Sequence, residues 1–236
     1  MNLAVSFSGR KDGNCDRIAK YISGEGDLVL FMREISTQPC ADCGYECMSG
    51  RCRYRDDGIY SFFDKISAAD RIFYIVPMYC GNPSALYFIL NERCQDYFMH
   101  HESQYEKILE KLYIIGVYGS SEDSPDFLDS FARQYGFQNP GKHILGLERH
   151  RYHQKMGDFL LDIEEVKARL DAMIYTIKIE QTYEYPNRMK YIPQTDSFVE
   201  KDVKSLSYER NVRKPYGWIK ESGTPPCEHL DAYVMT

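Results

Sequence analysis

"LAVSFSGRKDGNCDRIAKYI", residues 3–22, changes its pattern twice. Residues 3–7 form an apolar, β-prone run. Residues 8–15 are polar and carry Gly9 and Gly13. From there Ile18, Ala19 and Ile22 recur at helical spacing. A strand that leads through a short loop directly into a helix predicts one βα unit.

The same alternation continues outward. Further β-prone runs stand at "LVLFM" (28–32), "RIFYIV" (71–76), "KLYIIGV" (111–117) and "KHILGL" (142–147). Between them, "GIYSFFDKI" repeats apolar residues at Ile59, Phe62, Phe63 and Ile66. "PSALYFILNERCQDYF" does so at Leu86, Ile89, Leu90 and Phe98. "SPDFLDSFARQYGF" opens on Ser124 as a candidate N-cap followed by Pro125, and stops near Gly136. "FLLDIEEVKARLDAMIYTI" closes the series at 159–177. Five strands alternating with five helices predict a doubly wound α/β domain over residues 1–178, built on a five-stranded parallel sheet. The strands are apolar almost throughout, as a sheet covered on both faces requires. Residues 179–236 hold five of the ten prolines and sustain neither period. They are read as an irregular arm that packs on the domain or on a second subunit.

The chain has 236 residues, 43% of them hydrophobic, and a formal net charge of −6. It has no basic run of nucleic-acid type, which argues against a polyanion partner. No stretch approaches the roughly 20 apolar residues of a membrane span. The opening "MNLAVSF" has neither the charged region nor the cleavage site of a signal peptide. The expected setting is the cytoplasm, with no nucleic-acid or membrane partner. Thiols stay reduced there, so clustered cysteines point to metal or redox chemistry.

In an open parallel sheet, ligands bind beyond the carboxyl ends of the strands near the switch in winding, and loop 8–15 lies there. Ser8 and Asn14 offer polar side chains, Arg10 and Lys11 offer charge, and Gly13 permits close backbone approach. The helix that follows adds unpaired N–H groups. The spacing is neither that of a P-loop nor G-x-G-x-x-G, so a single phosphate monoester, as in FMN, is the better match. The same composition also serves an ordinary βα turn. "IVPMYCGNPSA" (75–85) is the second candidate. Pro77 cannot donate to a ladder, so the strand is expected to end there. Met78, Tyr79, Cys80, Gly81, Asn82 and Ser84 would follow as a loop with one aromatic wall and several backbone donors, which suits a flavin ring. A Pro/Gly turn with a capping Asn accounts for the same residues.

Taken together and in order, "SGRKDGNCDRIA" and "RYRDDGIYSFFDKISAADRIFYIVPMYCGNPSALYFILNER", with the cysteine block between them, resemble the flavodoxin-like NAD(P)H-dependent FMN reductases. Within that family the iron–sulfur flavoproteins are most similar, and the likeness covers roughly residues 1–178. The resemblance implies non-covalent FMN at the carboxyl edge of the sheet, its phosphate on Ser8, Arg10, Gly13, Asn14 and Cys15. Cys15 departs from the family, which has a hydroxyl there, and a thiol is the weaker donor. The family's P-x-Y segment falls on Pro77 and Tyr79, continued by Gly81, Asn82 and Ser84. Gly119 and Ser120 of "YGSSED" would close a third side, by position alone.

"PCADCGYECMSGRC" (39–52) spaces Cys40, Cys43, Cys47 and Cys52 as C-x2-C-x3-C-x4-C. Zinc knuckles normally come as separated C-x2-C pairs. Four thiolates in one compact loop commonly supply a [4Fe–4S] cube. The resemblance implies the same cluster, with one extra residue between the second and third cysteines as a departure. Zinc and a metal-free thiol loop are the alternatives. Arg51, Arg53 and Arg55 would balance a cluster's charge or form a solvated face. His100, His101, His150 and His153 match no ligand spacing, and Asp56 and Asp57 are read as carboxylates at a helix N-terminus.

The expected function is that of an FMN-dependent oxidoreductase or electron-transfer flavoprotein with a [4Fe–4S] cluster. Electrons would come from NAD(P)H or through the cluster and pass to a small-molecule or protein acceptor. A homo-oligomer is expected, and no catalytic acid or base. Two other readings stand beside it. One is a simple NAD(P)H-dependent FMN or quinone reductase whose cysteines bind zinc or nothing. The other is a non-catalytic thiol or metal-binding interaction module on the same scaffold.

Overall fold

A computed structural model describes residues 1–182 except 42, 50, 51, 100, 101, 121–125 and 156. The expectations for Arg51, His100, His101, Ser124, Pro125 and the arm from residue 183 lie outside the described residues. The chain divides into two units, one holding Met1–Cys40 and Tyr54 onward, the other holding Ala41–Arg53.

The first unit runs β1 (Asn2–Ser6), α1 (Asn14–Ile22), β2 (Leu28–Phe31), α2 (Gly58–Ala68), β3 (Arg71–Tyr79), β4 (Asn82–Pro83), α3 (Ala85–Met99), α4 (Glu102–Lys111), β5 (Leu112–Tyr118), α5 (Phe127–Tyr135), α6 (Pro140–His143), β6 (Ile144–Glu148) and α7 (Glu164–Thr182). The strand order is β2-β1-β3-β5-β6, parallel throughout, with β4 paired antiparallel to the end of β3. That is the flavodoxin-like order. The five expected parallel strands are all present.

Side chains alternate across the strands, so the sheet carries two cores. Ala4, Phe73, Ile75, Tyr113, Ile115 and Leu147 pack with Ile18, Ala19 and Ile22 of α1 and with Val166, Leu170 and Ile177 of α7. On the opposite face Phe7 meets Tyr74 edge-on at 4.9 Å and Tyr87 of α3 at 5.6 Å, and Tyr87 meets Phe131 of α5 at 5.3 Å. The expected stripe of α2 is buried at Ile59, Phe62, Phe63 and Ile66. Asp57 caps that helix by accepting from the Ile59 N–H at 3.0 Å, as its position predicted. Gly136, at φ 60°, turns the chain out of α5.

Three features depart from expectation. First, β3 does not end at Pro77, which pairs in register with Val117 and is followed by Met78 and Tyr79 in the same strand. Ile75 O accepts from the Phe7 N–H, so Pro77, two residues on, turns its nitrogen to the same side, beyond the last residue of β1. No ladder bond is lost there. Second, α3 buries Tyr87, Leu90, Arg93 and Tyr97 rather than its most apolar stripe. Tyrosine and arginine can bury their bodies when their polar tips find partners. Tyr87 donates to Gln134 at 2.9 Å and Tyr97 to Asp64 at 2.8 Å. Third, α4 has no counterpart among the five expected helices. Its sequence "ESQYEKILEK" is mostly polar, and only Ile108 and Leu109 of it count in the core.

Candidate functional site

β2 and β3 flank β1 on opposite sides, so the winding reverses at β1, and the β1–α1 loop leaves its carboxyl end. No side chain caps α1. The first-turn N–H groups of Asn14, Cys15 and Asp16 therefore have no partner inside the helix. With the helix macrodipole they form an end that attracts anions. Arg10 and Lys11 are exposed beside it. Gly9 leaves open space, with no atom within 4 Å of where a Cβ would stand.

The side chains of this loop are mostly committed inside the protein. Ser8 is buried, and its Oγ accepts from the Arg10 N–H at 3.0 Å. Asn14 Oδ1 accepts from the Leu160 N–H at 2.7 Å, and its Nδ2 donates to Asp158 O at 3.3 Å. Cys15 faces the core beside Ile18 and Ala19, where burial pushes its thiol pKa up. At Gly13 a Cβ would stand 3.1 Å from Arg10 Cδ, tighter than ordinary contact. Of the five residues expected at a phosphate, Gly13, Asn14 and Cys15 can then contribute backbone N–H groups and Arg10 its charge. Ser8, Asn14 and Cys15 do not extend side-chain donors outward. A phosphate monoester fits as a ligand of backbone and cations rather than of hydroxyls.

Beneath the loop lies a group that sequence reasoning passed over. Asp16 has 0% exposure. Its Oδ1 accepts from Ser6 Oγ at 2.6 Å and from Arg33 Nη1 at 2.9 Å, and its Oδ2 accepts from the Asp12 N–H at 2.8 Å. The hydrogen bond to Asp16 raises the Arg33 pKa above its ordinary value, against the opposing effect of burial. An acidic residue in the first turn of a helix is common, and nothing in "CDRIAKYI" marked this one as buried.

The second candidate segment is a hairpin rather than an open loop. Cys80 at φ 49° and Gly81 at φ 82° join β3 to β4 with the two positive φ values of a type I′ turn. Asn82 Nδ2 donates to Cys80 O at 3.1 Å. Tyr79, 52% exposed, offers an aromatic face, whereas Pro77 is buried and Met78 half-buried. Ser84 Oγ donates to Phe7 O at 2.8 Å, which ties the start of α3 to the end of β1. On the third side Gly119 O accepts from the His150 N–H at 2.9 Å, and His150 Nε2 lies 3.7 Å from where a Gly119 Cβ would stand. Ser120 beside it is buried. His150, set aside as a loop residue, thus backs this side.

Cys40 belongs to the first unit and is exposed; Cys43 and Cys47 are half-buried and Cys52 buried in the second. That second unit turns through Gly44 and Tyr45, both at positive φ, into a 3-10 helix at Glu46–Ser49. Among the described residues no three of His, Cys, Asp and Glu gather so as to hold a metal ion. The expected [4Fe–4S] or zinc ligand set at Cys40, Cys43, Cys47 and Cys52 therefore finds no support in the side-chain positions. The arginines have other partners: Arg53 pairs with Glu46 at 2.8 Å, and Arg55 lies over the Tyr60 ring at 5.5 Å.

The two chain positions that flank the block are held by one buried arginine. Arg93 donates to Gln38 O at 2.7 Å, to Asp57 Oδ2 at 2.6 Å and to Tyr54 O at 3.0 Å. Asp57 also accepts from the Gln38 N–H at 2.9 Å.

Strand order and the winding reversal at β1 define a flavodoxin-like α/β fold. No protein-family model matches the chain, and no curated protein sequence matches it. Among solved structures, the Trp repressor binding protein from Bacillus subtilis superposes with a TM-score of 0.50 at 17% identity, covering 71% of this chain and 97% of that one. RosB with the bound intermediate 8-demethyl-8-formylriboflavin-5′-phosphate superposes with a TM-score of 0.52 at 11% identity, covering 91% of this chain and 92% of that one. At these identities the likeness is one of fold. No helix among the described residues is long and apolar enough to cross a membrane.

Proposed function

We propose that this chain is an FMN-dependent oxidoreductase. The observation that carries the reading is the uncapped N-terminus of α1, flanked by Arg10 and Lys11, at the reversal of winding. A phosphate monoester is the anion such an end accommodates, and FMN sits at this switch point in flavodoxin-like sheets. The riboflavin 5′-phosphate derivative bound to RosB supports the reading, because that chain shares the fold. When bound, the flavin supplies hydride and single-electron chemistry.

The chain's own residues bind and orient. First-turn N–H groups of α1 and the Arg10 and Lys11 charges hold the phosphate. Tyr79 and the backbone around Cys80–Gly81 face the ring, and Gly119 backed by His150 closes the third side. We expect a reduced nicotinamide as donor, a quinone or other small acceptor, and a homo-oligomer. Among the described residues the cysteines form no metal-holding group.

The test is a fluorescence titration of flavin-free protein with FMN and with riboflavin, followed by NADH and NADPH oxidation with a quinone present. FMN is expected to bind at least about tenfold more tightly than riboflavin, one decade corresponding to about 1.4 kcal/mol. Failure to bind FMN overturns the reading.

A further inference from the structure

Asp16 poses a physical problem for the site above it. A carboxylate near a helix N-terminus stabilises the helix, but it also opposes a second anion at the same end. Asp16 is fully buried, so water does not screen it. It nevertheless braces the β1–α1 loop directly, by accepting the Asp12 N–H at 2.8 Å. Arg33 completes the brace from the other side, since its Nη1 donates both to Asp16 at 2.9 Å and to Ser8 O at 3.3 Å. The loop between Ser8 and Asp12 is therefore gripped at both ends by one ion pair. The other carboxylates near it are paired, Asp12 with Lys20 at 3.1 Å and Glu34 with the second Nη of Arg33 at 3.3 Å, and the exposed cations of the loop are Arg10 and Lys11.

We propose that Arg33 is a positioning residue for the ligand phosphate: it neutralises Asp16, so that one carboxylate can hold the loop without repelling a phosphate on the α1 N-terminus. The proposal rests on the FMN reading above. Arg33 does not touch the phosphate in this account; it acts through Asp16. Lysine would carry the same charge but not the planar fork that spans two acceptors.

The experiment measures dissociation constants for FMN and riboflavin with the full chain and with R33M, D16N and R33M/D16N, each checked by circular dichroism. R33M leaves the Asp16 charge unbalanced beneath the α1 N-terminus, which at an effective dielectric of about 20 and a separation of roughly 6–12 Å weakens FMN on the order of ten- to a hundred-fold. Riboflavin, which lacks the phosphate, should change less than about twofold. R33M/D16N should recover most of the FMN affinity, and D16N should bind FMN at least as tightly as the parent.

A folded R33M/D16N as weak for FMN as R33M overturns the proposal, as does an R33M that loses FMN and riboflavin equally. Should R33M not fold, the decision passes to D16N: FMN binding weakened tenfold or more relative to riboflavin would overturn the proposal, and unweakened binding would support it. If the parent protein itself does not distinguish FMN from riboflavin, the FMN-phosphate reading fails, independently of any variant.

Discussion

Arg93 and Asp57 form a buried ion pair of 2.6 Å, with the Arg93 side chain 2% and the Asp57 side chain 10% exposed. Around it converge the chain just before the cysteine block, at Gln38, and the chain just after it, at Tyr54. A guanidinium spreads planar donors over several acceptors, which suits a junction of three segments. Because Gln38 O and Tyr54 O share one guanidinium, the first unit is interrupted and resumed, around residues 41–53, at neighbouring points. Replacing 40–53 by a link of roughly three residues should leave the α/β unit folded and able to bind FMN. Circular dichroism and an FMN titration check this, and an unfolded product would refute it. R93M should cost about 3–5 kcal/mol by stranding the Asp57 charge. Adding D57N should return part of that loss, since asparagine still caps α2.

Gly116 and Gly146 face each other in register across β5 and β6, and Leu128 of α5 fills the space above both. A Cβ on Gly116 would stand 2.6 Å from Leu128 Cδ2, and one on Gly146 2.5 Å from Leu128 Cδ1. G146A should lower stability by about 1–3 kcal/mol through overpacking. L128A in the same chain should remove most of the cost of the added methyl, with Tyr118 at 3.1 Å accounting for the remainder. Urea unfolding of the double-mutant cycle measures the coupling, and simple additivity would contradict the packing.

Tyr79 is exposed on the hairpin, so Y79A should change stability by less than about 0.5 kcal/mol. Flavin affinity should fall by about 0.5–1.5 kcal/mol, equally for FMN and riboflavin, if the ring stacks there. Loss of FMN alone would place the effect at the phosphate instead.

The thiols should sort by environment. Cys40 and Cys80 are exposed. Cys94, which donates to Asn91 O, is pushed up to about 12 by burial, and Cys15 is raised for the same reason. With a pKa near 12, about one Cys94 in ten thousand is thiolate at pH 8. Brief iodoacetamide treatment at that pH, read by peptide mass spectrometry, should label Cys40 and Cys80 and spare Cys15 and Cys94. Early labelling of Cys15 would mean that the first turn of α1 opens in solution.

Asp27 gives a pH dependence with a defined sign. Burial pushes its carboxyl up, but hydrogen bonds from the Asn2 N–H, the Gly24 N–H and Asn2 Nδ2 outweigh this and leave it below its ordinary value. A carboxylate with a depressed folded pKa stabilises above its unfolded pKa, near 3.9, and loses that contribution as pH falls through the folded value. D27N should therefore lower the urea midpoint at pH 7, and the gap to the parent should narrow as the pH is taken below 4. A gap that stays constant would show that the carboxylate's charge plays no part.

The elements most legible in the sequence were those governed by local periodicity. Apolar runs marked all five parallel strands, and the stripe of α2 identified the residues it buries, because period and burial coincide where every core position is aliphatic or phenylalanine; in α1 the stripe Ile18, Ala19 and Ile22 is buried, but Cys15 and Asp16 are buried with it. On α3 the apolar stripe shares only Leu90 with the buried face, because the other buried positions are tyrosine and arginine, whose burial depends on partners from α2, α5 and the segment beside the cysteine block. Pro77 reads as a strand end in the sequence because proline removes a donor. Only the early termination of β1 beside it made that donor unnecessary.

At the site, sequence alone determined which loop meets the carboxyl edge and which charges it carries. Tertiary structure decided which of its polar groups remain available, and it committed the Ser8, Asn14 and Cys15 side chains inward while leaving Arg10 and Lys11 exposed. It also joined Asp16 to Arg33, residues separated by a helix and a strand in the chain. The physical reason is that buried polar groups must be paired, and a partner is chosen by proximity in space, which the order of residues along the chain does not disclose.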